Sequence, residues 1–223
     1  MPTRKIPLIT DEYYHVYNRG FNKNLIFQSP GDYSRAFKTI QYYQFITPSI
    51  KFSYLNSRPL EQQKSILGQL VQTTIDILSF CFMPNHFHFL IKQNKDNGIL
   101  NSIGKFSTSY ANYFNILHEK NGPVFEGRFK AVRVSSNEQL LHLSRYIHLN
   151  PYTASIVKDI NQLQNYPYSS LKEYLHPKRF NLAQTNEILS QFKSPQNYLN
   201  FNLDHADHQK QLRLLKDITT PEW

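Results

Sequence analysis

The stretch Cys81-Phe82-Met83-Pro84-Asn85-His86-Phe87-His88-Phe89-Leu90-Ile91 decides the fold. Two apolar runs meet at Pro84-Asn85. Proline presets φ at the first corner of a tight turn and asparagine tolerates the second. The runs therefore read as a β-hairpin. Side chains alternate along a strand, so His86 and His88 share one face of the second strand and Phe87, Phe89 and Ile91 the other. The phenyl rings anchor the strand in a core. The two imidazoles stand side by side, near enough to share one divalent metal. Two polar residues on a wet sheet face would look the same, and so short a motif does not separate the two readings.

Working outward, Thr73 to Met83 is β-branched and aromatic, the first strand of the hairpin. Tyr13 to Arg19 alternates as a strand and ends in Asn18-Arg19-Gly20. Ser29-Pro30-Gly31-Asp32 is a helix start, with Tyr33, Phe37 and Ile40 following at helical spacing. Residues 56–72 are polar and weakly periodic. They read as a loop with a short helix inside a segment, 46–72, that has the look of an insertion. Ile99, Ile103, Phe106, Tyr110, Phe114 and Leu117 form one stripe of a long helix. Short strands are expected at Val124-Phe125 and from Phe129 to Val134. Strands mixed with helices, one hairpin and no βαβ rhythm give an α+β class with a mainly antiparallel sheet.

The chain has 223 residues, 40% hydrophobic and 14% aromatic, enough for a real core. Its formal net charge is +9 with a pI near 9.5. A basic, aromatic-rich chain points to a polyanionic partner, most often nucleic acid. The single cysteine, Cys81, excludes an intramolecular disulfide and a thiolate zinc cluster. With no signal-like or membrane-length apolar run, the expected location is the cytoplasm. The segment from Arg179 to Trp223 is electrically neutral. Ser194-Pro195 opens its expected helix, through about Ile218.

Ser136-x-x-Gln139 is a capping box. The helix it opens is expected to end at Asn150, because Pro151 pushes the residue before it out of the α region. Leu140, Leu143 and Ile147 form its buried stripe. Tyr146 and Asn150 lie one turn apart on one face, with His142 a further turn back. A phenol ionises near pH 10 and is a poor nucleophile unaided. A divalent metal beside it would polarise a phosphate for attack. An amide oxygen is a plausible third ligand after two imidazoles, provided this helix packs beside the His-x-His strand. Equally, Tyr146 fits a core aromatic and Asn150 a helix cap.

Five motifs in order carry a resemblance. They are Tyr14-His15-Val16-Tyr17-Asn18-Arg19-Gly20, Met83-Pro84-Asn85-His86-Phe87-His88, Phe125-Glu126-Gly127-Arg128-Phe129-Lys130, Arg145-Tyr146-Ile147-His148-Leu149-Asn150-Pro151 and Tyr166-Pro167-Tyr168-Ser169-Ser170. Across residues 10–178 the chain resembles the HUH single-tyrosine transposases, and within them the REP-associated tyrosine transposases. The resemblance implies a ferredoxin-like HUH domain, residues 1–178, with a central antiparallel sheet, followed by a helical C-terminal extension, residues 179–223. It implies a metal-dependent single-stranded DNA endonuclease and strand transferase, acting near DNA hairpins through a covalent 5′-phosphotyrosine intermediate. Tyr146 matches the nucleophile. His86, His88 and Asn150 match the ligands of Mg²⁺ or Mn²⁺. Arg19, Arg128, Lys130 and Arg133 lie in the motif segments and are assigned to DNA phosphates, with aromatics available for base stacking. The partner is single-stranded or hairpin DNA, and the protein a monomer or homodimer. Two rivals stand beside this reading. One is a non-catalytic descendant that binds structured nucleic acid. The other is a zinc hydrolase, weaker because no further motif offers conventional zinc spacing.

Overall fold

A computed structural model of the chain describes residues 7–46, 48, 50–176 and 182–211. Four strands, β1 (Tyr13–Arg19), β2 (Ile75–Met83), β3 (His86–Gln93) and β4 (Lys130–Val134), form one antiparallel sheet in the order β2-β3-β1-β4. The α-helices among the described residues are α1 (Pro30–Tyr43), α2 (Phe52–Asn56), α3 (Leu60–Gly68), α4 (Gly98–Leu117), α5 (Asn137–Thr153), α6 (Leu171–Leu175), α7 (Asn186–Leu189) and α8 (Pro195–Leu203), with short 3-10 helices at Phe21–Lys23 and Ile160–Asn165. The expected α+β architecture with a central antiparallel sheet is the one observed. The described residues divide into two compact units, one drawn from 1–76, 84–87 and 91–133, the other from 77–83, 88–90 and 134–223.

In the first unit, β1 buries Tyr14 and Val16. The Phe87 ring meets Phe106 of α4 at 5.4 Å and Phe125 at 5.8 Å, both edge-on. Helix α1 starts where the sequence places it: Ser29 and Asp32 form a capping box, with Pro30 in the first turn. Asp32 is wholly buried and accepts from the Gln28 and Ser29 amides at 2.8 and 2.9 Å. Burial alone would raise its pKa, but those amides and His118, 3.1 Å away, hold it below the usual value. The pair joins the start of α1 to the residue that caps the end of α4. At the other end of α4, a Cβ on Gly98 would lie 2.3 Å from the Thr74 carbonyl oxygen, so only glycine permits that approach.

Several expectations in this unit need correction. Strand β2 starts at Ile75 rather than Thr73, and Val124-Phe125 is not a strand. Phe125 makes only an isolated bridge to Gly20. The α4 stripe ends at Phe114, because Leu117 in the last turn is 52% exposed. Residues 56–72 carry the one short helix expected there, α3, and a further short helix, α2, precedes it within the 46–72 segment. That segment has a small core of its own, in which Phe52 and Leu55 pack with Tyr42 and Tyr43, joined by Ile50, Ile66 and Leu70. Tyrosine hydroxyls tie it down: Tyr42 donates to the Ile50 carbonyl at 2.8 Å and Tyr43 accepts from the Phe52 amide at 3.1 Å.

In the second unit, the Tyr166–Ser170 motif runs along β2. The Phe82 amide donates to Tyr168 O at 2.9 Å and the Ser170 amide to Phe80 O at 3.0 Å. Gln184 continues this cover, donating to Ile77 O at 2.8 Å. Strand β2 ends the sheet order, so these segments satisfy backbone groups of an edge strand. Helix α5 does not stop at Asn150. It runs to Thr153 with Pro151 inside. The proline sits in the last turn, where its missing N–H costs one intrahelical bond and the chain leaves the helix soon after. Leu143 is only half-buried; Ser144, Arg145, His148 and Leu149 join Leu140 and Ile147 in the interior. Helix α8 ends at Leu203, residues 206–211 are helical again, and the expected end near Ile218 lies outside the described residues.

His148 explains why α5 buries more than its apolar stripe. Its ring is fully buried, with Nδ1 at 2.7 Å from the Tyr198 hydroxyl and Nε2 at 2.7 Å from Ser170 Oγ. Tyr198 also shares a hydrogen bond with Ser144 at 3.1 Å. Residues of α8 thus satisfy the polar atoms that α5 buries. Burial holds the His148 pKa down at about 3. Nearby Glu173, accepting from the Ala183 amide at 2.6 Å, is pushed up to about 7 by burial.

These two groups set opposite pH slopes. The His148 contribution to stability is full above its unfolded value, about 6.5, and is lost as the pH falls toward 3. The Glu173 contribution is full below about 4.5 and is lost as the pH rises to about 7. Between pH 4.5 and 6.5 they offset each other. Glu173→Gln keeps an acceptor for Ala183 and removes one slope. Urea unfolding across that range should show the variant losing about 1.4 kcal/mol per pH unit of acidification relative to wild type.

Candidate functional site

Hairpin β2–β3 turns at Pro84-Asn85, as the sequence expects. The loop after β1 clamps this turn: Gly20 donates to Asn85 O at 2.7 Å, and Ile26 and Phe27 donate to Pro84 O at 2.8 and 3.0 Å. The turn sets the register of β3 and so the positions of both histidines. His86 is half-buried, and its Nδ1 lies 2.6 Å from Asn85 Oδ1. A proton on Nδ1, donated to that amide oxygen, leaves the lone pair on Nε2, the arrangement that hydrogen-bonding neighbours give metal-binding histidines.

His88 does not lie on a wet face, one of the two readings its sequence allowed, being only 7% exposed. Within the second unit its ring meets the Tyr146 ring edge-on, with centroids 5.6 Å apart and planes at 80°. Tyr146 itself is 36% exposed. Helix α5 therefore brings a phenol against the strand histidine while leaving the phenol open to solvent. Asn150, one turn on, is fully buried, and its amide nitrogen donates to the Tyr146 carbonyl at 3.2 Å. With the nitrogen directed to the helix, the oxygen is the atom of that amide suited to a hard cation.

The structure brings together His88 and Tyr146 in the second unit, with Asn150 one turn further along α5. His86 stands two residues before His88 on the same strand, in the 84–87 segment of the first unit. His142 does not join them. Its Nδ1 contacts Arg145 at 2.5 Å, its Nε2 lies 3.6 Å from Glu138, and its ring lies 6.1 Å from that of Phe201. Each four-residue step along a helix turns about 40° past a full rotation, so 142 and 150 differ by about 80° around the axis. Among the described residues, no three His, Cys, Asp or Glu side chains cluster to hold a metal ion. Imidazole nitrogens and amide oxygens are, as atom types, donors that suit a divalent cation such as Mn²⁺.

The expected phosphate contacts all fall in the first unit. Arg19 holds Glu126 through Nε and, at 2.9 Å, through Nη2. Glu126 is held below the usual carboxylate range by that guanidinium. Arg133 likewise holds Glu12, at 3.2 Å through Nε and also through Nη2. Lys130 lies 6.0 Å from the Tyr17 ring, and Arg128 is exposed. Sequence reasoning did not find the buried group of Arg145, His148 and Tyr198. Arg145 lies over the Phe201 ring at 4.4 Å and donates to Phe201 O at 3.4 Å. The available signal was the set 144, 145 and 148, polar residues at helical spacing along the apolar stripe.

Known proteins share this fold. The chain is similar in structure to one described as the "Structure of the REP associates tyrosine transposase bound to a REP hairpin". The match has a TM-score of 0.54 at 12% identity and covers 82% of this chain and 89% of that one. At that identity the likeness is one of fold. No curated protein matches the chain in sequence. The sequence model of the family described as "Transposase IS200 like" matches residues 36–150. That span is just over half of the chain and contains both histidines, Tyr146 and Asn150. The chain belongs to the IS200-like transposase family.

Proposed function

We propose that the protein is a single-stranded DNA endonuclease and strand transferase with Tyr146 as nucleophile. The observation that carries this reading is the half-open Tyr146 phenol seated edge-on against His88. Membership of the transposase family supports it. The fold-level neighbour was solved with a REP hairpin, and the substrate proposed here is likewise a single strand beside a hairpin.

In this reading His86, His88 and the Asn150 oxygen hold Mg²⁺ or Mn²⁺. The bound ion would polarise the scissile phosphate and stabilise the charge that develops on it. Tyr146 Oη forms a bond to phosphorus as the bond to the 3′-oxygen breaks. In the net exchange the phenolic proton ends on the departing 3′-hydroxyl. The product is a 5′-phosphotyrosine, which stores the energy of the broken bond, so a 3′-hydroxyl can rejoin the strand without a nucleotide cofactor. The His88 ring limits the rotamers of the phenol and so aligns the attacking oxygen. Arg19, Arg128, Lys130 and Arg133 contact DNA phosphates, with Arg19 and Arg133 exchanging their carboxylates for phosphate oxygens as DNA binds.

Two measurements test this reading. Incubation with labelled hairpin-bearing single strands from the gene's own flanks and Mn²⁺, followed by a denaturing gel, should give a covalent protein–DNA band. The band should vanish in Tyr146→Phe and when the metal is chelated. Tight binding without a band across such substrates would instead identify a non-catalytic DNA-binding descendant. Second, Glu126→Gln releases Arg19 from its carboxylate. DNA affinity should rise and the log–log salt dependence should steepen by about 0.7, because in wild type the Glu126 carboxylate freed by the exchange takes up a cation in place of the one the phosphate releases. An unchanged slope would remove Arg19 from the phosphate-binding set.

A further inference from the structure

The first unit carries a groove that the tyrosine chemistry does not use. Residues of α1, α2 and α4 from Gly104 onward line it, and its volume is about 1360 Å³. Arg35, Lys51, Lys105 and Lys120 stand on its wall, and Glu119 is the acid among the described residues there. Tyr43, Tyr54 and Tyr113 add aromatic surface, with Tyr54 60% exposed. The segment that resembles an insertion, through Lys51 and Tyr54, thus builds one side of a basic and aromatic channel.

Arg35 is the residue that most needs a partner. Its guanidinium lies over the Phe52 ring at 4.6 Å and the Tyr113 ring at 5.0 Å. Its Nε is buried with no hydrogen-bond acceptor among the described residues. Burial lowers its pKa from the usual arginine value, the sign of a cation short of compensation. Two rings hold the group in place, and an anion in the groove would supply the countercharge that no acid among the described residues gives it. The charge balance favours such an anion here. The segments of the first unit carry 16 Lys and Arg against 8 Asp and Glu, whereas those of the second carry 9 against 8. The excess charge therefore lies with the groove's unit rather than with the unit of Tyr146.

We propose that this groove binds single-stranded DNA, with phosphates on Arg35, Lys51, Lys105 and Lys120 and a base stacked on Tyr54. The proposal rests on the DNA-binding reading above and assigns it a second surface. A single strand fits better than a duplex because paired bases stack on one another and offer no ring face to a tyrosine. An unpaired base offers its whole face. Phosphate binding alone would need only the cations; the exposed Tyr54 beside them is the feature that selects unpaired bases.

The test is fluorescence anisotropy with a labelled oligothymidylate, which has no hairpin, and with a duplex of the same length, across a salt series. Lys51→Glu with Lys105→Glu should weaken oligothymidylate binding at least about tenfold. It should also flatten the log–log salt slope by about 0.7 for each phosphate no longer neutralised. Tyr54→Ala should weaken it by about five- to a hundredfold with the slope unchanged, and Tyr54→Phe should restore binding. Lys→Gln versions of both sites, checked by thermal unfolding, give the same direction without charge reversal and guard against a folding defect. Wild-type affinity and slope in all variants, no oligothymidylate binding by wild type, or equal losses on the duplex would each overturn the proposal. The outcome is separate from that of the Tyr146 reading. A wild type that binds oligothymidylate through the groove yet forms no covalent band leaves the groove standing and removes the nuclease. A covalent band with groove variants that bind normally does the reverse.

Discussion

A strand side chain can take only one of two directions, and β3 is fixed by what each direction must hold. Phe87 and Phe89 sit at one parity and are fully buried, Phe87 among the Phe106 and Phe125 rings and Phe89 against Phe82. His86 and His88 take the other parity. A slip of one residue would exchange rings for imidazoles and put two polar groups into an aromatic core, so the register is strongly specified. The Pro84-Asn85 turn sets that register, and the Gly20–Phe27 loop holds the turn through three backbone bonds. Every candidate role given to the histidines depends on this arrangement.

Helix α5 faces a different constraint. It carries a phenol half open to solvent while burying Ser144, Arg145, His148 and Asn150, a polar load that few helices place inside. Unsatisfied buried polar groups are costly, and this unit meets the cost with specific partners. Tyr198 and Ser170 serve the two nitrogens of His148, and Phe201 offers its ring and carbonyl to Arg145. Tyr198 and Phe201 of α8 are therefore part of the support of the tyrosine helix.

Charge and chemistry are divided between the units. Nearly all of the excess positive charge belongs to the segments that contain the groove and the arginines of β1 and β4, while the segments bearing Tyr146 are almost balanced. Two of these arginines are already engaged by carboxylates, Arg19 by Glu126 and Arg133 by Glu12. Such exposed pairs contribute little stability, which makes their exchange for phosphate oxygens inexpensive. Arg35 differs in kind, because its cation is held between rings rather than by an acid.

Local rules determined much of this protein. Turn chemistry at Pro84-Asn85, alternation at His86–Ile91, the capping box at Ser29 and the N-cap at Ser136 are short-range and strong, so the hairpin, α1 and α5 were legible in the residues themselves; the expected box at Ser136 is only half made, since Gln139 Oε1 accepts from the Ser135 amide instead. The spacing of Tyr146 and Asn150 on one helix was legible for the same reason. What the sequence could not decide was which surfaces would be covered. His88 reads equally as a ligand on a shared face and as a polar residue on a wet one, yet it is buried against a tyrosine fifty-eight positions away in the chain. Pro151 reads as a stop, yet α5 carries it within its last turn. His142 reads as a neighbour of Tyr146, yet Arg145 and Phe201 hold it elsewhere. Each of these outcomes turns on a partner distant in sequence or on a small angular drift along a helix, and burial is a property of the packed fold, which no local pattern encodes.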